Sequence, residues 1–253
     1  MRDLVAIVHQ VSFVFYRRFF MTDSQKKKRI KEISEALRAL YPDAVCALTW
    51  MGDGQDEADA VRKDGWRLLV MGRLSAQCTD ARVNLVCQDL FAKYPTCRAL
   101  ADAPLSDIEA VIRPCGLYHT KAESIKASCG ILCDCYGGEV PDNMEELVAL
   151  PGVGRKIANL LLGDLYGQPA VVADTHFIRL CGRWGMYPAS LKDPVAVERI
   201  MRELLPPEES SDFCHRAVQF GRDFCSARRP ACDRCPVRPL CAYADSAADG
   251  GAE

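Results

Sequence analysis

Apolar residues along this chain recur at intervals of three and four, the spacing that lines one face of a helix. Ile30, Ile33, Leu37 and Leu40 form the first such stripe, and Tyr41-Pro42 is expected to end it. Trp66, Leu69, Val70 and Leu74 form another. Ser106 with Glu109, Thr120 with Glu123 and Asp142 with Glu145 have capping-box spacing, which predicts three further helix starts. Gly137-Gly138 should close the second of these helices. Asp193-Pro194 should open one that turns Val197, Ile200, Met201 and Leu204 inward. No segment sustains period-two alternation between hairpin turns, so the predicted fold class is all-α.

Composition narrows the picture. With 253 residues, 49% of them apolar, the chain is long enough to bury one or two cores. It carries fourteen cysteines, many for this length, yet a chain so rich in core residues does not need disulfide staples. Cys46, Cys87, Cys97 and Cys129 sit among apolar neighbours and read as small buried hydrophobes. A reducing, cytoplasmic compartment follows, with any special cysteines engaged in metal chemistry.

The formal net charge of −2 argues mildly against a nucleic-acid partner, but its distribution points the other way. Acid gathers in Asp53–Asp64, Pro206–Asp212 and the tail from Asp245. The segment Cys225–Cys241 instead carries Arg228, Arg229, Arg234 and Arg238 against Asp233 alone. The purpose of the acidic stretch Asp53–Asp64 is not legible; a solvated loop is the default expectation. The apolar run at the N-terminus ends in Phe13–Phe20 and is interrupted by His9, Gln10, Arg17 and Arg18. It fits neither a signal peptide nor a membrane span. Residues 1–21 are expected to be a disordered extension, or to precede a true initiator at Met21. The Ala/Asp/Gly-rich tail, residues 244–253, is expected to be disordered.

Leu150-Pro151-Gly152-Val153-Gly154 lies between two helical patterns. Glycines in a tight interhelical turn leave consecutive backbone N–H groups free at the positive end of the following helix, a ready site for a phosphate oxygen. An ordinary helix–helix turn has the same appearance. Lys156 follows at the first turn of the new helix, where a cation is electrostatically misplaced, and Arg155 adds like-charge repulsion. Both effects favour the neutral amine that a nucleophile requires. A lysine that merely pairs with phosphate fits the same position.

Asp174 precedes Thr175-His176-Phe177-Ile178-Arg179-Leu180, whose apolar positions suit a helix, so type and place mark it as an N-cap. A carboxylate that accepts backbone N–H bonds stays anionic and is a good partner for a developing cation. A plain cap needs nothing more. Cys225, Cys232, Cys235 and Cys241 form C-x6-C-x2-C-x5-C. Four thiolates in one short loop suit either a zinc ion or a [4Fe–4S] cube. The single C-x-x-C pair favours the cube, since zinc loops usually carry two. Cys133, Cys135 and Cys214 lie outside this spacing and are assigned no metal.

Taken together, Leu150–Lys156 and Val172-Ala173-Asp174-Thr175-His176 resemble the helix-hairpin-helix and Gly/Pro-Asp signature of the endonuclease III family. Ser75-Ala76-Gln77-Cys78-Thr79-Asp80 resembles that family's lesion-pocket segment, and Gly116-Leu117-Tyr118 its minor-groove wedge loop. The resemblance runs from about Lys27 to Tyr243, with the motifs in the family's order. It implies Lys156 as Schiff-base nucleophile and Asp174 as its carboxylate partner. It further implies that Gln77 fills the hole left by a flipped base, that Leu117 wedges into the stack, and that the four cysteines hold a [4Fe–4S] cluster. Gly152, Gly154, Arg155, Arg228 and Arg229 are the expected phosphate contacts. Cys115 stands where the family more often has a larger apolar wedge residue, which leaves Leu117 as the wedge.

The architecture this resemblance implies is two helical domains flanking a DNA-binding cleft. Residues 46–168 form a six-helix domain with the hairpin, and residues 22–45 plus 169–243 form the iron–sulfur domain. The expected partner is double-stranded DNA with damaged bases or abasic sites, met by a monomer with no membrane attachment, in the cytoplasm at the nucleoid. The expected activity is removal of oxidised pyrimidines followed by strand cleavage 3′ to the abasic site by β-elimination. Two other readings use the same motifs. An adenine mismatch glycosylase would lack Lys156, and a non-catalytic iron–sulfur DNA-binding or redox-sensing protein would need neither Lys156 nor Asp174.

Overall fold

The structure is a computed structural model that describes residues 21–48 and 58–244. The expected extension before Met21, the first part of the acidic stretch and the tail from Asp245 lie outside the described residues; from Ala58 on the acidic stretch is helix and not the expected loop. Every regular element among the described residues is helical. In chain order these are α1 Asp23–Leu40, α2 Ala58–Leu74, α3 Asp80–Lys93, α4 Cys97–Asp102, α5 Leu105–Ile112 and α6 Tyr118–Cys135. They continue with α7 Met144–Ala149, α8 Arg155–Tyr166, α9 Thr175–Arg183, α10 Pro194–Leu204 and α11 Ser210–Asp223. Short 3-10 turns cover Arg113–Cys115, Pro207–Glu209, Cys232–Arg234 and Arg238–Leu240.

The apolar stripes do what their spacing requires. Trp66, Leu69, Val70 and Leu74 are buried on α2; Phe177, Leu180 and Cys181 on α9; Val197, Met201 and Leu204 on α10. Ile30, Ile33 and Leu37 are buried on α1, but Leu40, the last residue of the helix, is 39% exposed. Thr22 caps α1 with a complete capping box to Gln25. Asp193 caps α10 through Val195 N, ahead of Pro194.

The three predicted capping boxes are not formed as such. α5 begins one residue before Ser106, behind Pro104, whose extended backbone starts the turn without a side-chain cap. α6 begins behind Leu117, and Thr120 Oγ donates to the Leu117 carbonyl instead of capping an amide. α7 is capped by Asn143, not Asp142, with the Glu146 amide donating to Asn143 Oδ1 at 2.9 Å. In each case a neighbour already sets the backbone: proline by its ring, leucine by a left-handed φ, asparagine by winning the cap one residue later. Gly137 and Gly138 do follow α6, both at positive φ, and the Gly138 amide returns to Leu132 O.

The chain divides into two compact units. The first comprises Ala44–Val172 with Pro207–His215, and therefore α2 to α8 with the start of α11. Its core lies between Leu48 and Ala170, where α4 packs along α6 and α2 along α8. The second comprises the chain up to Asp43, Ala173–Pro206 and the chain from Arg216. Here α1 packs against α10, and Trp184 and Phe220 meet with ring centroids 5.9 Å apart. Pro207–His215, assigned from sequence to the iron–sulfur domain, groups with the hairpin-bearing unit. Its anchors explain this: Ser210 Oγ accepts the Ala170 amide, and Cys214 Sγ the Val172 amide.

Candidate functional site

In the first unit the hairpin turn joins α7 to α8. Leu150 and Val153 are buried and the Val153 amide closes the turn on Leu150 O at 3.1 Å. Gly152 has φ +77°, and a Cβ there would stand 2.6 Å from Arg73 Nε and 2.8 Å from Ser124 Cβ. Both its conformation and its space admit only glycine. Gly154 differs: its φ is −98° and nothing lies within 4 Å of where its Cβ would be. It begins α8 with no side-chain cap. Arg155 and Lys156, the first residues of α8, are exposed.

Gln77 and Leu117 share a feature that sequence does not show. They are the two non-glycine residues at positive φ among the described residues, +55° and +49°. Left-handed backbone costs a side-chain-bearing residue about 1–2 kcal/mol, and such strain concentrates at functional positions. Gln77 is exposed in the turn between α2 and α3, and Leu117 is 57% exposed ahead of α6. Cys115, expected to be no wedge, is buried beneath that loop, and burial together with Cys78 pushes its thiol up to about 11.

α6 ties these segments to one another. Lys121 is fully buried, and its Nζ donates to Leu74 O at 2.9 Å and to Cys115 O at 2.8 Å, the roots of the Gln77 and Leu117 loops. One turn on, Ser124 Oγ accepts from Arg73 Nε at 2.8 Å, the guanidinium against which Gly152 packs. A further turn on, Ser128 Oγ donates to Pro151 O at 2.8 Å. The two loops and the hairpin thus share one rigid support. Lys121 was not foreseen from the sequence, although a lysine in register with Ile125, Cys129 and Leu132 on the apolar face of α6 is a visible signal.

In the second unit Asp174 caps α9, its Oδ1 accepting the Phe177 amide at 2.7 Å. Behind the same helix the cysteine loop folds back on itself. Cys225 and Cys241 are buried, Cys232 and Cys235 partly so, and all four line one hollow walled by Trp184, Phe220 and Phe224. Burial, and then the neighbouring cysteines, push the Cys235 and Cys241 thiols up. Four such sulfurs become thiolates together only beside a strong positive centre.

Arg183, also unforeseen, braces the loop. Its Nη1 donates to Cys225 Sγ at 3.0 Å and Ser226 O at 2.8 Å, and its Nη2 to Ala227 O at 2.8 Å. Arg228 and Arg229 are exposed on the stretch so held. Within the first unit, then, Gln77, Leu117, Gly152 and Gly154 belong to one supported assembly with Arg155 and Lys156. Asp174, the cysteines and the loop arginines belong to the second unit.

Residues 70–207 match a family model described as the HhH-GPD superfamily of base excision DNA repair proteins. Over 224 residues the chain is 39% identical to the endonuclease III of Synechocystis sp., an alignment spanning 88% of this chain and 96% of that one. Its fold superposes with a TM-score of 0.79 on endonuclease III in a non-covalent complex with DNA, at 36% identity, covering 91% of this chain and all of the other. It superposes equally, at 37% identity over 90% of this chain, on endonuclease III in a trapped covalent intermediate with DNA. No helix among the described residues is long and apolar enough to cross a membrane. With its motifs in order and nearly the whole of both chains matched, this chain belongs to the endonuclease III family within the HhH-GPD superfamily of base excision DNA repair proteins.

Proposed function

We propose that this chain, a DNA glycosylase and abasic-site lyase of base excision repair, uses Lys156 as a Schiff-base nucleophile on oxidised or ring-saturated pyrimidines and abasic sites in duplex DNA. It acts as a monomer, in the cytoplasm at the nucleoid. The observation that carries the reading is Lys156 itself: an exposed amine on the uncapped first turn of α8, directly behind a turn whose shape Gly152 enforces. The relative caught in a covalent intermediate with DNA supports the same chemistry.

In the reaction the Gly152–Gly154 turn and Arg155 hold a backbone phosphate. Leu117 enters the base stack, and Gln77 occupies the space of the flipped base. Lys156 Nζ attacks C1′ of the sugar while the bond to the base breaks, and the base departs with its electron pair and takes up a proton. The Asp174 carboxylate stabilises the positive character that develops at the sugar. The C1′–O4′ bond then breaks, the opened ring oxygen takes up a proton, and the amine loses its own as the imine forms. Loss of a proton from C2′ then breaks the C3′–O bond, cutting the strand on the 3′ side. Cys225, Cys232, Cys235 and Cys241 would hold a [4Fe–4S] cluster, which supplies a cationic centre that fixes the loop carrying Arg228 and Arg229.

Borohydride reduction tests this directly, since it converts the imine to a stable bond. The wild type is expected to become covalently linked to duplex with an abasic site, and Lys156→Ala to lose both linkage and strand cleavage while still binding duplex. Undiminished trapping by Lys156→Ala overturns the assignment.

A further inference from the structure

Beyond the repair chemistry and outside the cysteine loop, three side chains of the first unit converge. Cys46 comes from the segment after α1, Asp164 from the last turn of α8, and His215 from α11. One donor atom of each lies within 4.8 Å of the other two. His215 Nε2 and Asp164 Oδ1 are 2.7 Å apart, and their side chains are 12% and 10% exposed. We propose that Cys46, Asp164 and His215 form a second metal site that takes one borderline divalent cation, with Zn2+ the best match.

The donor set fits this ion. Sulfur, imidazole nitrogen and carboxylate oxygen are its three usual protein ligands, at about 2.0–2.3 Å, and three of them leave a position for water. Charge fits too. When Cys46 gives up its proton to solvent, the thiolate, the carboxylate and neutral histidine make a neutral unit with the dication. A buried neutral unit avoids the cost of isolated charge.

A plain histidine–aspartate pair explains less. Asp164 Oδ2 is buried and has no hydrogen-bond partner among the described residues, although its other oxygen has two neighbours, His215 and Ser211 Oγ at 3.5 Å. A buried carboxylate oxygen without a partner is unfavourable, and a cation would supply that partner. Asp164 also stands at the C-terminal end of α8, where the helix dipole disfavours negative charge and favours a cation. The cysteine that read from sequence as a small apolar filler is instead partly exposed beside two strong ligands. Bound metal would fasten residues 44–48 and α11 to the end of α8 opposite Lys156.

The test uses protein purified with its iron intact, equilibrated with Zn2+ and passed through a desalting column, with zinc and iron measured in the same sample. About one zinc per chain is expected, and its X-ray absorption edge should show a shell of one sulfur with nitrogen and oxygen. Cys46→Ser, Asp164→Asn and His215→Ala should each lower zinc affinity at least about tenfold, the least loss expected when a ligand goes, with iron content unchanged. No retained zinc, zinc retained equally by all three variants, or a four-sulfur shell would each overturn the proposal. Should a variant fail to fold, the wild-type edge alone decides, since its ligand shell distinguishes this site from the cysteine loop.

Discussion

A lysine ammonium at the depth of Lys121 loses its hydration, and burial accordingly lowers its pKa. What it gains is two carbonyl partners, Leu74 O and Cys115 O. Lys121→Met would keep the volume and the apolar contacts of α6 but leave both carbonyls without that donor. Each costs about 1–3 kcal/mol when buried and unpaired, so the variant should lose roughly 2–6 kcal/mol of stability, read by denaturant unfolding. At temperatures where it stays folded, cleavage of lesions in duplex should fall more than cleavage in single strands, because both loops lose their root. Equal loss on the two substrates would leave Lys121 a packing residue only. Asp174 poses the opposite question. Asparagine is also a good N-cap, so Asp174→Asn should change the melting temperature little while slowing base release strongly. A drop in stability matched to the drop in rate would mean the carboxylate only caps α9.

At the scale of elements, the hairpin separates two uses of glycine. Gly152→Ala meets Arg73 and Ser124 and must hold φ +77°, so left-handed strain and overpacking together should cost about 2–5 kcal/mol. Gly154→Ala meets nothing and keeps an ordinary φ, so its stability should be near wild type. If the open space at Gly154 is where phosphate approaches, that variant should nevertheless bind duplex more weakly, measured by titration at fixed salt. Wild-type affinity in Gly154→Ala would move the phosphate site elsewhere. The glycines themselves were legible in the sequence, as were the helical stripes, because each depends on local spacing. Helix starts were legible in part: Asp174 and Asp193 cap α9 and α10 as their positions predict, but Pro104, Leu117 and Asn143, which start α5, α6 and α7, were not foreseen. Nor were Arg183 and the Cys46–Asp164–His215 cluster. They arise from residues 42 or more positions apart, brought together only by tertiary packing.

For the molecule as a whole, the question is how a chain of net charge −2 holds a polyanion. Arg228 and Arg229 stand on a stretch fixed from several sides. Arg183 grips Ser226 O and Ala227 O, and the Ser226 hydroxyl donates to Arg229 O and accepts the Arg229 amide at 3.1 Å. A loop already ordered loses little entropy when its guanidiniums meet phosphate, so few charges suffice. Each phosphate neutralised contributes about −0.9 to the slope of log K against log salt. If both arginines touch phosphate, Arg228→Ala with Arg229→Ala should flatten that slope by roughly two units, equally for damaged and undamaged duplex. Lesion discrimination should survive, because phosphate contacts position the duplex without reading it. The measurement is a salt titration of binding by both proteins, with iron content showing that the loop is intact. An unchanged slope would make the two arginines solvated surface charge and leave the electrostatic grip to Arg155 and the amides of α8.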